Sequence, residues 1–96
     1  MPIFAPYSKP NNLTNIQIEH FLQRNNVASK PVQIRFKNRK TLIGSFIQSK
    51  DFDDLKSKNF WRIVNETKLA DFVKSGDIQL GRIFNGMEIT GLSMVN

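Results

Sequence analysis

A chain of 96 residues is long enough for one small domain and too short for two, and its 40% hydrophobic content, with eight Phe and one Trp, supplies one core. That composition excludes a wholly disordered chain, and no apolar run approaches the ~20 residues that span a bilayer. Fourteen Lys and Arg against eight Asp and Glu leave a net charge of +6, which favours an anionic partner, while the lack of cysteine excludes disulfides, thiolate metal sites and cysteine nucleophiles.

The first residues, Met-Pro-Ile-Phe-Ala-Pro, show no basic region followed by an apolar stretch, so no secretory signal is expected. Together with the missing cysteines this reads as a cytoplasmic chain with no membrane association. Residues 1–12 hold three of the four prolines and read as an extended Pro-rich arm. Ile3, Phe4 and Tyr7 either pin that arm to a surface or leave it a free tail. Thr14-Asn15-Ile16-Gln17 matches a capping box, in which the Thr14 hydroxyl and the Gln17 side chain satisfy each other's backbone donors. Ile18, Phe21 and Leu22 follow at helical spacing, which predicts a helix over 15–25.

Past Pro31 the period changes to two. Val32, Ile34 and Phe36 alternate with Gln33, Arg35 and Lys37, as in a half-buried strand with one apolar and one basic face. Asn38-Arg39 reads as a turn, and a second strand is predicted over Thr41–Ser49. The Asp51-Phe52-Asp53-Asp54 stretch interrupts it. Asn59–Asn65 is rich in aromatic and β-branched residues and reads as strand three. Over Asn65–Gly76, Leu69, Phe72 and Val73 are helically spaced, with Asn65 or Thr67 to cap and Gly76 to close, so a short helix is expected. Ile78–Phe84 and Met87–Val95 read as two further strands joined at Asn85-Gly86, a strong short-range hairpin signal.

Little in the chain suggests catalysis. His20, the single histidine, reads as a surface residue, since catalytic triads and zinc sites need partners it lacks. Asp51, Asp53 and Asp54 fail as a calcium loop: counting from Asp51, Lys56 and Arg62 stand where Gly and Glu are required. They read instead as a solvated, helix-capping turn. Gly81, Gly86 and Gly91 match no phosphate-binding loop. The best functional candidates are Arg35, Lys37, Arg39 and Lys40, four cations within six residues. On an edge such a group binds phosphates, or else it only prevents edge-to-edge aggregation. Phe60-Trp61 places one ring inward and one outward. An outward ring beside Arg62 stacks a base, or is covered by the N-terminal segment, so Trp61 and Arg62 join the candidates.

The order of these elements resembles that of the Sm-like small β-barrels, Hfq-like proteins included. The likeness is carried by residues 32–46 (VQIRFKNRKTLIGSF), with Gly44 where a barrel strand bends sharply, and by residues 83–92 (IFNGMEITGL), with Ile89 and Leu92 three and six positions after Gly86. The resemblance implies RNA binding and ring assembly through strands four and five. It adds Asn59, at the end of the loop that carries the family's uridine pocket, and Asn85, at the position of the family's basic residue. That loop is longer and more acidic here than the family's Asp-x-aromatic-Met-Asn pattern, and the Tyr-Lys-His-Ala signature is absent.

The expected fold is α+β, mainly β. An N-terminal helix caps a five-stranded, strongly bent Sm-like (SH3-like) barrel with a short helical insertion between strands three and four, and residues 13–96 form a single domain. The expected function is a non-catalytic, cofactor-free module that binds RNA or single-stranded nucleic acid. The alternative is a protein-interaction or structural adaptor. The weakly charged Met87–Val95 edge predicts a homo-oligomer, with a dimer favoured over a ring.

Overall fold

The computed structural model describes residues 13–25 and 30–95. The Pro-rich arm, residues 1–12, lies outside them. Within them the chain is α+β, with three helices and a five-stranded antiparallel sheet, and no described helix is long and apolar enough to cross a membrane.

Helix α1 spans Asn15–Asn25. The capping box forms at its start: the Thr14 N–H donates to Gln17 Oε1 at 2.9 Å, and the Gln17 N–H donates to Thr14 Oγ1 at 3.2 Å. Ile18 and Leu22, one turn apart, are buried in the core. The Leu13 N–H donates to the Ile89 carbonyl at 2.8 Å and ties the start of the helix to the sheet.

The strands are β1 (Val32–Phe36), β2 (Leu42–Phe46), β3 (Phe60–Asn65), β4 (Gly81–Asn85) and β5 (Ile89–Met94), in the order β4-β3-β2-β1-β5. Directly paired residues share a face. The registers therefore put Val32, Ile34, Phe36, Phe46, Trp61 and Ile63 on one inner face, all of them buried. The sheet curls strongly. Strands β1 and β4 are three steps apart, about 14 Å in a flat sheet, yet the Phe36 and Phe84 rings meet with centroids 5.4 Å apart. Gly44 makes part of this curl possible: a Cβ there would lie 2.5 Å from the Val64 carbonyl oxygen on β3. A bulge in β5 leaves Thr90 as the extra residue opposite Arg35 and Phe36.

The curled sheet does not close into a barrel, because β4 and β5 are its two edges and do not pair. The Asn85-Gly86 hairpin is corrected accordingly. A tight Asn-Gly hairpin turn needs positive φ at both residues, but Asn85 sits at φ −79° and Gly76 is the sole glycine with positive φ among the described residues. Asn85 instead caps a 3-10 turn, Gly86–Glu88, its side chain accepting from the Met87 N–H at 2.9 Å, and the chain crosses to the far side of the sheet.

Other strand boundaries also shift, β5 among them, which runs Ile89–Met94 rather than Met87–Val95. Strand β2 stops at Phe46, and the predicted continuation to Ser49 gives way to helix α2, Phe52–Ser57, where only a turn was expected. The predicted strand 78–84 starts at Gly81, because Asp77 caps a 3-10 turn over Ile78–Leu80. The helical insertion is present as α3, Glu66–Ser75, with Asn65 capping the Thr67 N–H at 3.0 Å and Gly76 closing it at φ 68°. It packs against β2 and β3.

Gly44→Ala should lower stability by about 1–3 kcal/mol, because the added methyl meets the Val64 backbone and the buried Ile63 side chain. Thermal denaturation checks this, and an unchanged midpoint would contradict the close approach of β2 and β3.

Candidate nucleic-acid interface

Burial of Val32, Ile34 and Phe36 leaves Arg35 and Lys37 on the outward face at β1. Arg39 and Lys40 follow in the exposed bend between β1 and β2. Arg39 turns back over two rings, its guanidinium carbon 5.5 Å from the Phe36 centroid and 5.2 Å from that of Phe84. This cation–π contact holds one charge beside the mouth of the curled sheet. The Arg35 guanidinium lies over Gly91, where a side chain of any size would collide with it.

The topology bears on the two readings of this group. Protection against edge-to-edge aggregation presupposes an edge strand, and β1 lies between β2 and β5. The edge placement of the basic cluster is thus corrected: its charges stand on an interior strand and the bend beside it.

The distribution of carboxylates sharpens the contrast. Ion pairs among the described residues gather around α2. Lys56 pairs with Glu19 at 2.7 Å and with Asp53 at 3.4 Å, Lys58 with Asp54 at 3.6 Å, and Arg62 with Asp51 at 2.7 Å. The hydrogen bond from Lys56 to Glu19 holds the lysine above its ordinary pKa, partly opposed by desolvation. Hydrogen bonds from Ser49 and then Arg62 hold the Asp51 carboxyl below the usual carboxylate range. Arg35, Lys37, Arg39 and Lys40 have no ion pair among the described residues.

The remaining four candidates serve the fold. Trp61 is 1% exposed, so neither face of its ring is open to a base, and Phe60 is the half-buried one of the pair. Its indole N–H donates to Asn59 Oδ1 at 2.8 Å. Asn59 adopts φ 61°, and its carbonyl accepts the Gly86 N–H at 2.7 Å. Arg62 is held by Asp51 and by Ser49 Oγ at 2.9 Å. Asn85 is occupied with its 3-10 turn. The structure brings Asn59, Trp61 and Asn85 together at the β3–β4 end. The Trp61 ring and the family positions of Asn59 and Asn85 had suggested recognition; burial of the indole and the bond from Gly86 to Asn59 depend on distant segments coming together.

A cleft of about 450 Å³ lies between α1 and the β1–β5 pair. Gln17, His20 and Arg24 line it from α1, and Arg35 and Thr90 from the strands, over an apolar floor that includes Phe21 and Leu92. Arg24 was not singled out from the sequence. The available signal was the spacing 17, 20, 21, 24, one stripe of the helix beside the core-facing Ile18 and Leu22.

A comparison with protein-family models, with curated proteins and with solved structures finds no match to this chain.

The depressed Asp51 pKa has a stability consequence with a definite sign. A carboxylate whose pKa falls on folding contributes stability that is complete above its unfolded value, around pH 4, and is lost as pH drops through the lower folded value. Acid titration of the melting temperature should therefore fall less steeply below pH ~4 for Asp51→Asn than for the wild type. Identical acid limbs would show that the Arg62–Asp51–Ser49 cluster adds nothing to stability.

Proposed function

We propose that this chain is a non-catalytic, cytoplasmic binding module for single-stranded nucleic acid, RNA foremost, held by phosphate contacts along Arg35, Lys37, Arg39 and Lys40. The observation that carries the reading is the group of cations with no ion pair among the described residues, on an interior strand and its adjoining bend, where protection of a sheet edge does not account for them. Phosphates supply the missing counter-charges, and release of condensed counterions drives such binding. The Sm-like resemblance supports the same reading, since it implies an RNA-binding domain whose fourth and fifth strands are edges, as β4 and β5 are. On this reading the curled, unclosed sheet is an Sm-like half-barrel.

Oligo-uridine and oligo-adenine titrations at several salt concentrations test the proposal. Arg35→Ala combined with Lys37→Ala should weaken binding and flatten the log–log salt slope by about 1.4, at ~0.7 per single-strand phosphate contact. An affinity no better than millimolar at low salt would leave the protein-adaptor alternative in its place.

Assembly belongs to the same reading. We propose a homodimer through the sheet edges. Strand β5 carries no charged residue, and near the other edge Ile83 and Met87 are 50% and 56% exposed. Light scattering should give twice the 11.1 kDa chain mass. A monomer at high concentration refutes self-association, and a ring-sized mass refutes the dimer.

A further inference from the structure

The cleft between α1 and the β1–β5 pair has a chemistry more specific than that of the basic ridge beside it. Its volume of about 450 Å³ falls within the range of small-ligand sites. Two guanidiniums, Arg24 and Arg35, line it, and among the described residues no carboxylate does. The one acidic residue of α1, Glu19, is engaged by Lys56 of α2. The charge facing the cleft is therefore positive, with His20 and Thr90 adding hydrogen-bonding groups.

The cationic groups stand beside an apolar floor. Phe21 and Leu92 are half-buried, and each lines the cleft while packing against the core cluster. The Arg35 guanidinium lies across Gly91, one residue from Leu92, in space that a side chain at Gly91 would fill. A bound inorganic anion would use the arginines and leave the floor wet. A peptide carboxylate would use one arginine and gain little from a flat apolar surface. A group that is anionic at one end and flat and weakly polar at the other uses both halves of the cleft.

We propose that this cleft is a mononucleotide subsite, with the phosphate on Arg24 and Arg35 and the base over Phe21 and Leu92. It rests on the reading of the β1 face as a nucleic-acid surface and deepens it. Arg35 belongs to both, so a strand following the ridge passes one nucleotide into the cleft. Phosphate contacts along the ridge are blind to sequence, whereas a base held in the cleft gives the module a means to discriminate.

The full chain, labelled with ¹⁵N, is titrated with uridine 5′-monophosphate and adenosine 5′-monophosphate. Uridine, inorganic phosphate and a short oligo-glutamate serve as comparison probes. Expected are amide shifts at Phe21, Arg24, Arg35, Gly91 and Leu92 with a mononucleotide, and binding about tenfold weaker with uridine or phosphate alone. Arg24→Gln, an exposed position on α1 that the core does not use, should weaken the mononucleotide about fivefold while the spectrum stays folded. Equal responses to inorganic phosphate or oligo-glutamate, shifts confined to other residues, or an unaffected Arg24→Gln variant would overturn the subsite. Oligonucleotide binding that depends on Arg35 and Lys37, with mononucleotides leaving the cleft amides unmoved, overturns the subsite alone. Mononucleotide shifts in the cleft without oligonucleotide binding overturn the strand-binding reading and leave the cleft a site for free nucleotides.

Discussion

The indole of Trp61 is buried at the inner face, edge-on to Phe46 and Phe52 with centroids 6.0 Å away in each case. A buried N–H without a partner is costly, and this one donates to Asn59 Oδ1. To present that oxygen, Asn59 stands in the left-handed region, where asparagine is among the few residues tolerated. Its carbonyl then takes the Gly86 N–H, and the close packing leaves no room for a side chain at Gly86. One satisfied donor thus joins the end of α2, the start of β3 and the crossover from β4 to β5. Much of the topology depends on that junction, because the crossover carries β5 to the far edge, beside β1.

The same topology sorts the charges. Helix α2 gathers Asp51, Asp53 and Asp54 and brings Lys56 against Glu19 of α1, so the acids of this end are matched locally. The cations on β1 and its bend form no ion pair among the described residues. Surface ion pairs of this kind contribute little to stability individually; their larger effect is to divide the surface into a neutralised end and a cationic face. The cleft under α1 lies on the cationic side because Glu19 is committed to α2.

Local signals in the sequence proved reliable where the physics is local. The capping box at Thr14–Gln17, the Asn65 cap and the Gly76 closure depend on bonds within a few residues, and helices α1 and α3 stand within a residue or so of their predicted limits. Period-two burial over Val32–Phe36 needs only an inside and an outside. Helix α2 was missed because its six residues carry few apolar positions and bury none fully. Asn85-Gly86 misled because the dipeptide permits a hairpin without requiring one, and a bond from Gly86 to Asn59, far earlier in the chain, selected another course.

The exposure of Arg35, Lys37, Arg39 and Lys40 was legible, since an alternating strand with a buried apolar face turns its basic residues to solvent. By itself the sequence determined three helical or strand periodicities with their caps, one core's worth of aromatic and aliphatic bulk, and an excess of positive charge. Tertiary structure alone decided that β1 is interior, that Trp61 faces inward and Arg62 is engaged, and that Arg24 meets Arg35 across a cleft. Strand order, ring accessibility and the pairing of charges depend on which distant segments come together, and a single chain read in order carries no direct record of those encounters.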